Sequence, residues 1–260
     1  MKAKLIVPML VTLGLSQNVF AGAASITFSQ YRILLDKNIQ SSELTLRNTE
    51  ANNAECLLDL AHFNFEINNN IVAQKSADTT YMPANKLLRY SPRSVTIPAF
   101  GSQKVKISYR HRANLEPGEY VSFFQIGCSE KNDNLVKGQP NIGAKINYNL
   151  PVQVRIGEAT ATSAFEVVSI SPKGEGAQLV LKQTRQGNRS VVGDIKIIEK
   201  SSGDVLGLVR NFSLYRPAEY AEHIVNLEKK PQSDVLVEFA EASNVYMPIT
   251  QTFEIPQSRF

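Results

Sequence analysis

Apolar and polar residues alternate with a period of two along most of this chain. In Lys104-Val105-Lys106-Ile107-Ser108-Tyr109-Arg110, the residues Val105, Ile107 and Tyr109 share one face. Ser42 to Asn48 and Ser94 to Ile97 alternate in the same way. A period of two marks half-buried β-strands, one face on a core and one in water. Turn-forming clusters separate these runs, among them Asn52-Asn53, Asn68-Asn69-Asn70, Glu116-Pro117-Gly118, Gly174-Glu175-Gly176 and Ser201-Ser202-Gly203-Asp204. Beyond the N-terminal segment, no stretch of about ten residues keeps a 3.6 period. Strands are predicted near 25–35 (with room for a break), 41–48, 54–67, 87–90, 94–97, 103–109, 119–127 and 142–156. A second set is predicted near 165–171, 177–184, 189–199, 204–214, 222–227, 234–240 and 249–255. Many short strands with frequent turns indicate an all-β protein built of β-sandwiches. The small, polar run from Gly157 to Ser163 divides the two sets, which gives domains over 22–157 and 158–260.

One segment is unusual for its length. Ile142, Ala144, Ile146, Tyr148, Leu150, Val152, Val154 and Ile156 form an apolar stripe, opposed by Gly143, Lys145, Asn147, Asn149, Pro151, Gln153 and Arg155. At ~3.4 Å per residue the stripe runs for about 50 Å, whereas most strands have five or six residues. Pro151 cannot donate to a ladder and belongs at an edge or a bulge. Edge strands are ordinarily short or charged because they recruit other chains. A long apolar edge suits strand addition to an incomplete sheet, and the competing reading is a core strand facing its own sandwich.

The N-terminus has the layout of a secretory signal peptide: Lys2 and Lys4, an apolar run from Leu5 to Leu15, and small residues up to Ala21. Cleavage is expected after Ala21, with Ala23 and Ala24 as alternatives. Residues 1–21 are therefore read as a signal peptide, and the mature chain carries 26 basic and 24 acidic residues, about +2. That balance and the lack of a Lys/Arg-rich run argue against nucleic acid. In an oxidising compartment Cys56 and Cys128 form either one disulfide or two separate buried thiols. His62, His111 and His223 are scattered, and no GxSxG, P-loop, GxGxxG or CxxC motif occurs. No enzyme activity, cofactor, metal site or small-molecule substrate is expected.

Several stretches, in order, resemble the PapD-like periplasmic chaperones of the chaperone–usher pathway. Ser25 to Leu35, with Arg32 before an apolar run, resembles that family's first strand. Ser42 to Thr49 is similar to its second segment. Leu88 to Ile107, with Ser91-Pro92 and Pro98-Ala99-Phe100-Gly101, resembles its Ser-Pro and Pro-Gly signature. Leu115-Glu116-Pro117-Gly118-Glu119-Tyr120 is similar to its entry into strand F, and Leu150 to Gly157 to the end of its long donor strand, G1. In the second half, Arg185 to Ile195 and Leu214-Tyr215-Arg216-Pro217 resemble one branch of the family. The likeness covers nearly all of the mature chain.

The resemblance implies two immunoglobulin-like sandwiches set at an angle. It implies a periplasmic chaperone for pilus or fimbrial subunits, acting by donor-strand complementation and delivering subunits to an outer-membrane usher. Ile142, Ile146, Tyr148, Leu150 and Val152 are then expected in the subunit's groove. Arg32 is expected to grip the subunit's C-terminal carboxylate, since guanidinium–carboxylate bonds are charge-assisted. The family places a Lys beside that Arg. Here Pro151 stands at its position, which leaves Arg155 or Lys145 as the second cation. The resemblance also sets Cys56 near the start of the second immunoglobulin strand and Cys128 near the end of the sixth. Those strands run the same way, so the two thiols would lie far apart. Self-association through the edge strand is a further expectation. The alternative is a structural pilus subunit or adhesive surface sandwich. The two strand sets, and Arg259 where a subunit has a penultimate Tyr, argue against it.

Overall fold

The computed structural model describes residues 24–112, 114–131, 144–242 and 248–260. The expected signal peptide, 1–21, lies outside them, as does Ile142. The described chain is almost wholly β and forms two immunoglobulin-like sandwiches.

The N-terminal sandwich packs two sheets face to face. One has the order β1 (Ile26–Phe28), β3 (Ser41–Asn48), β8 (Ser102–Tyr109), β6 (Leu88–Ser91). The other has the order β2 (Ile33–Leu35), β10 (Lys145–Ile156), β9 (Gly118–Glu130), β4 (Ala54–Phe65), β5 (Ile71–Gln74). A further strand, β7 (Ser94–Ile97), pairs with the start of β4. The period-two residues meet between the sheets: Leu44, Leu46, Val105 and Ile107 from one, Ile33, Leu35, Phe124, Ile126, Val152 and Val154 from the other. Burying each such side chain is worth about 1.5–3 kcal/mol.

The predicted strand over 25–35 is two strands. The chain leaves the first sheet after Phe28 and joins the second at Ile33. Strand β5 escaped prediction because it is a short edge strand whose apolar residues Ile71 and Val72 are exposed, so no alternation marks it.

Cys56 and Cys128 are bonded to each other. The expectation that they lie at distant strand ends is corrected here. β3 takes the second place in the immunoglobulin order and β4 the third, so β4 is the antiparallel neighbour of β9 in the same sheet. The ladder sets Cys56 directly opposite Cys128, with Cα atoms 4.1 Å apart. That is within reach of a disulfide.

The C-terminal sandwich pairs β11 (Ala161–Lys173), β12 (Gly176–Gly187) and β15 (Tyr220–Leu227) against β14 (Val205–Leu214), β13 (Val191–Glu199), β16 (Val235–Glu241) and β17 (Thr250–Ile255). Leu179, Leu181, Ile195, Ile197, Val237 and Phe239 fill its core. Arg189 and Glu241 form a buried fork-to-fork pair, two bonds of 2.8 Å, and the backbone N–H groups of Val192 and Ile249 also donate to Glu241. Buried charges are tolerated when their lone pairs are satisfied in this way.

The two sandwiches meet through an apolar cluster of Phe65, Val121 and Phe123 with Leu214, Tyr215, Ala218 and Ala221. The Tyr215 ring stacks on Phe65 at 4.5 Å. The backbone N–H groups of Glu219 and Tyr220 both donate to the Ile67 carbonyl. Asn69 donates to the Ser213 carbonyl at 2.9 Å and accepts from the Tyr215 N–H at 3.0 Å. Beside this cluster Glu119, 1% exposed, accepts from Gln153 Nε2 and Arg155 Nε at 3.0 Å each, and from the Ser190 N–H of the other sandwich at 3.2 Å.

Candidate partner-binding edge and anion cleft

Strand β10 pairs with β9 along its whole length, from Lys145 opposite Ser129 to Ile156 opposite Gly118. On its other side β2 covers only Val152, Gln153 and Val154. Among the described residues, the edge of β10 from Lys145 to Leu150 therefore has no strand beside it. Its backbone groups on that side form an unpaired row, which is a template for another strand.

The stripe divides at Leu150. Leu150 is 4% exposed and Val152 fully buried, both packed in the chain's own core. This corrects the expectation that they enter a partner's groove: the facing sheet of β1, β3, β8 and β6 already covers that half of the strand. Outward of Leu150 the core thins. Tyr148 and Ile146 are half-buried, and Lys145, Asn147 and Asn149 are exposed. Tyr148 rests on the sandwich rim. Its hydroxyl accepts from the Ile26 N–H at 3.2 Å, and its ring meets Phe28 edge-on at 5.0 Å. Ile146 lies beside Cys128, which lies beside Cys56, so the disulfide rivets the row from which the open edge projects.

At the other end of the strand lies a cationic cleft. Arg32 stands where the chain crosses between the sheets, just before β2. Its guanidinium donates to Gln153 Oε1 and the Tyr215 hydroxyl at 3.3 Å each, and to Ser213 Oγ at 2.5 Å. It also lies 5.9 Å from the centre of the Tyr215 ring. All of these acceptors are neutral, and the described residues offer Arg32 no carboxylate. The hydroxyl protons of Ser213 and Tyr215 are not spent on any described acceptor. An uncompensated guanidinium with two hydroxyl donors beside it is suited to a carboxylate.

Neither cation expected beside Arg32 joins it. Arg155 is buried in the pair with Glu119, 3.0 Å, directly across the β9–β10 ladder, so its charge is already matched. Lys145 is eight residues up the strand from Gln153, about 27 Å away at ~3.4 Å per residue, and its side chain lies over Gly127. The groups that do surround Arg32 are Gln153, Ser213 and Tyr215. The sequence carried no signal for Gln153 beyond its polar position on the stripe's back face. Ser213 and Tyr215 come from the other sandwich, 181 and 183 residues along the chain.

Among the described residues no group of three His, Cys, Asp or Glu side chains is placed to hold a metal, and no helix is long and apolar enough to cross a membrane.

No family model matches the sequence, and no curated protein matches it. Among solved structures the chain is similar to the YadV chaperone: 15% identical, covering 88% of this chain and 99% of that one, with a TM-score of 0.47. It is similar to a chain of the CsuC–CsuE chaperone–tip adhesion subunit pre-assembly complex from the archaic chaperone–usher Csu pili of Acinetobacter baumannii, at 12% identity over 89% and 98% of the two chains, TM-score 0.46. It is similar to the Pseudomonas aeruginosa CupB2 chaperone at 10% identity over 87% and 98%, TM-score 0.45. These are likenesses of fold.

Proposed function

We propose that this protein is a periplasmic chaperone of the chaperone–usher pathway. In this reading it holds a pilus or fimbrial subunit by lending the outer half of β10 to the subunit's incomplete sandwich, and hands it to an outer-membrane usher. The observation that carries the reading is the unpaired edge of β10 from Lys145 to Leu150, with the half-exposed Ile146 and Tyr148 on it. Backbone bonds along such an edge supply affinity, and alternate side chains seated in pockets supply specificity. In the sequence, Ile142 continues the same apolar–polar alternation. The subunit's terminal carboxylate binds Arg32, with the Ser213 and Tyr215 hydroxyls as the remaining donors and Gln153 holding the guanidinium in place. The binding is of moderate strength by design: a few apolar side chains at about 1.5–3 kcal/mol each hold a subunit that must later be released to its neighbour.

The test is co-purification from periplasm with candidate subunits. Ile146→Asp places a charge in the subunit's groove and is expected to abolish recovery of the subunit, while the chaperone keeps its thermal unfolding transition. Undiminished recovery with Ile146→Asp would rule out donation through this edge.

A further inference from the structure

A second cationic site lies at the domain junction and shares no residue with the Arg32 cluster. It is an open cavity of about 620 Å³ whose walls include Tyr81, Lys182, Arg185, Arg216, Glu219 and Tyr220. Tyr81 comes from the N-terminal sandwich and the others from the C-terminal one. The walls are built as two cation–aromatic pairs. The Arg216 guanidinium lies 5.1 Å from the centre of the Tyr81 ring, and the Lys182 ammonium 5.0 Å from that of Tyr220.

The charges on these walls are poorly matched. Arg185 is 7% exposed, yet its bonds run to backbone carbonyls alone: Ala218, Gly187 and Arg189. Arg216 donates to the Asn188 carbonyl at 2.9 Å and to the Tyr81 hydroxyl. Among the described residues neither guanidinium has a carboxylate ion pair. Burial first, and repulsion from the nearby Arg216 second, hold the Arg185 pKa below its ordinary value, against the opposing pull of Glu119 and Glu219. Lys182 is paired at 3.2 Å with Glu166, a largely exposed side chain, and Glu219 is the one acid among the cavity's described walls. Gly118, at φ 142°, makes the close approach possible: a Cβ there would stand 2.6 Å from Arg216 Nη1. The fold therefore sets three cations and one acid, Glu219, on the cavity's walls, with Glu166 bonded to Lys182 and Glu119 bonded to Arg155 outside them.

We propose that this cavity binds carboxylate side chains of an acidic segment on a protein partner. An anion here relieves the repulsion between Arg185 and Arg216, and the guanidinium of Arg216 offers charge-assisted bonds. The tyrosine faces receive the aliphatic part of a Glu or Asp side chain. The volume suits a few residues, since binding cavities run from roughly 300 to 1,000 Å³. The cavity is wide and open, so it cannot enclose a free small acid in the way that small-ligand sites do. A carboxylate tethered to a larger contact surface fits it better. This inference stands whether or not β10 donates a strand.

The experiment is an amide-resolved NMR titration of the full mature chain with a tetraglutamate peptide, with citrate and tetralysine in parallel. The expected result is saturable shifts at Tyr81, Arg185, Gln186 and Gly187 with tetraglutamate, none there with tetralysine, and at least a fivefold weaker response in both Lys182→Ala and Arg216→Gln. Lys182 is half-buried against Tyr220 and paired with Glu166, so the thermal unfolding transition of Lys182→Ala is recorded alongside, and its retention separates loss of the site from loss of the fold. Raising salt from 50 to 300 mM should weaken the binding severalfold. Absence of shifts at these residues, or shifts unchanged in Lys182→Ala, would overturn the proposal. Citrate binding as tightly as tetraglutamate would overturn the assignment to a protein segment in favour of a small free acid.

Discussion

Arg32 and Ser213, 181 residues apart in the chain, are joined across the domain junction by a 2.5 Å hydrogen bond from the guanidinium to the hydroxyl. The cation of the N-terminal sandwich is thus steadied by the C-terminal one, and it keeps its charge unmatched by any described carboxylate.

Arg32→Ala is expected to abolish subunit capture while the protein stays folded. It deletes three bonds to neutral groups, each worth about 0.5–1.5 kcal/mol net, so stability should fall by about 1.5–4.5 kcal/mol. Tyr215→Phe with Ser213→Ala should weaken capture while keeping the ring stack on Phe65. Co-purification beside urea unfolding measures both effects.

The two halves of the β10 stripe should respond differently to truncation. Leu150→Ala opens a hole in a sealed core and should cost about 2–5 kcal/mol of stability. Ile146→Ala, on the half-exposed part, should cost about 1 kcal/mol or less and act instead on capture. Equal losses of stability at both sites would show that the outer half is also core. Chemical denaturation of the free protein decides this.

Cys56 and Cys128 close a loop with a sequence separation of 72 residues. On the chain-entropy view such a crosslink stabilises by roughly 4 kcal/mol. Reduction, or the Cys56→Ala and Cys128→Ala pair, should lower the urea midpoint accordingly. Because Ile146 stands in the same row, capture should weaken along with it.

Glu119→Ala leaves Arg155 buried without its counter-charge and removes the acceptor for Gln153 and for the Ser190 N–H. Breaking a buried pair from one side typically costs about 3–5 kcal/mol. The variant should unfold at markedly lower denaturant, and proteolysis should begin at the junction between the sandwiches.

His223 gives the C-terminal sandwich a pH dependence. It is 3% exposed, bonded through Nε2 to Gln183 at 3.0 Å, and its pKa is pushed down to about 4 by burial. The unfolded chain takes up a proton near pH 6.5 and the folded one only near 4, so unfolding binds a proton between those values. Stability is therefore complete above about pH 6.5 and falls as the pH drops toward 4, by about 3 kcal/mol in all. His223→Phe should flatten that slope in urea titrations taken between pH 4 and 7.

What the sequence by itself determined was whatever depends on near neighbours. Alternation over Ser42–Asn48, Lys104–Arg110 and the β10 stripe located the strands, because a side chain's face in a strand follows from its parity alone. Turn clusters separated them, and the length and apolar stripe of β10 marked the strand that matters. Position 32 was singled out because its local motif resembled a known pattern. The tertiary structure decided what depends on which strands lie side by side. Parity could not say that Leu150 and Val152 face a closed core while Ile146 runs past it, since that is set by how far the facing sheet extends over β10. Local spacing could not bring Cys56 opposite Cys128, because that required β4 rather than β3 to lie against β9. Nor could it gather Arg32, Gln153, Ser213 and Tyr215. A cleft between two sandwiches is made from residues far apart in the chain, and only the packing of Phe65, Phe123 and Tyr215 sets where they meet.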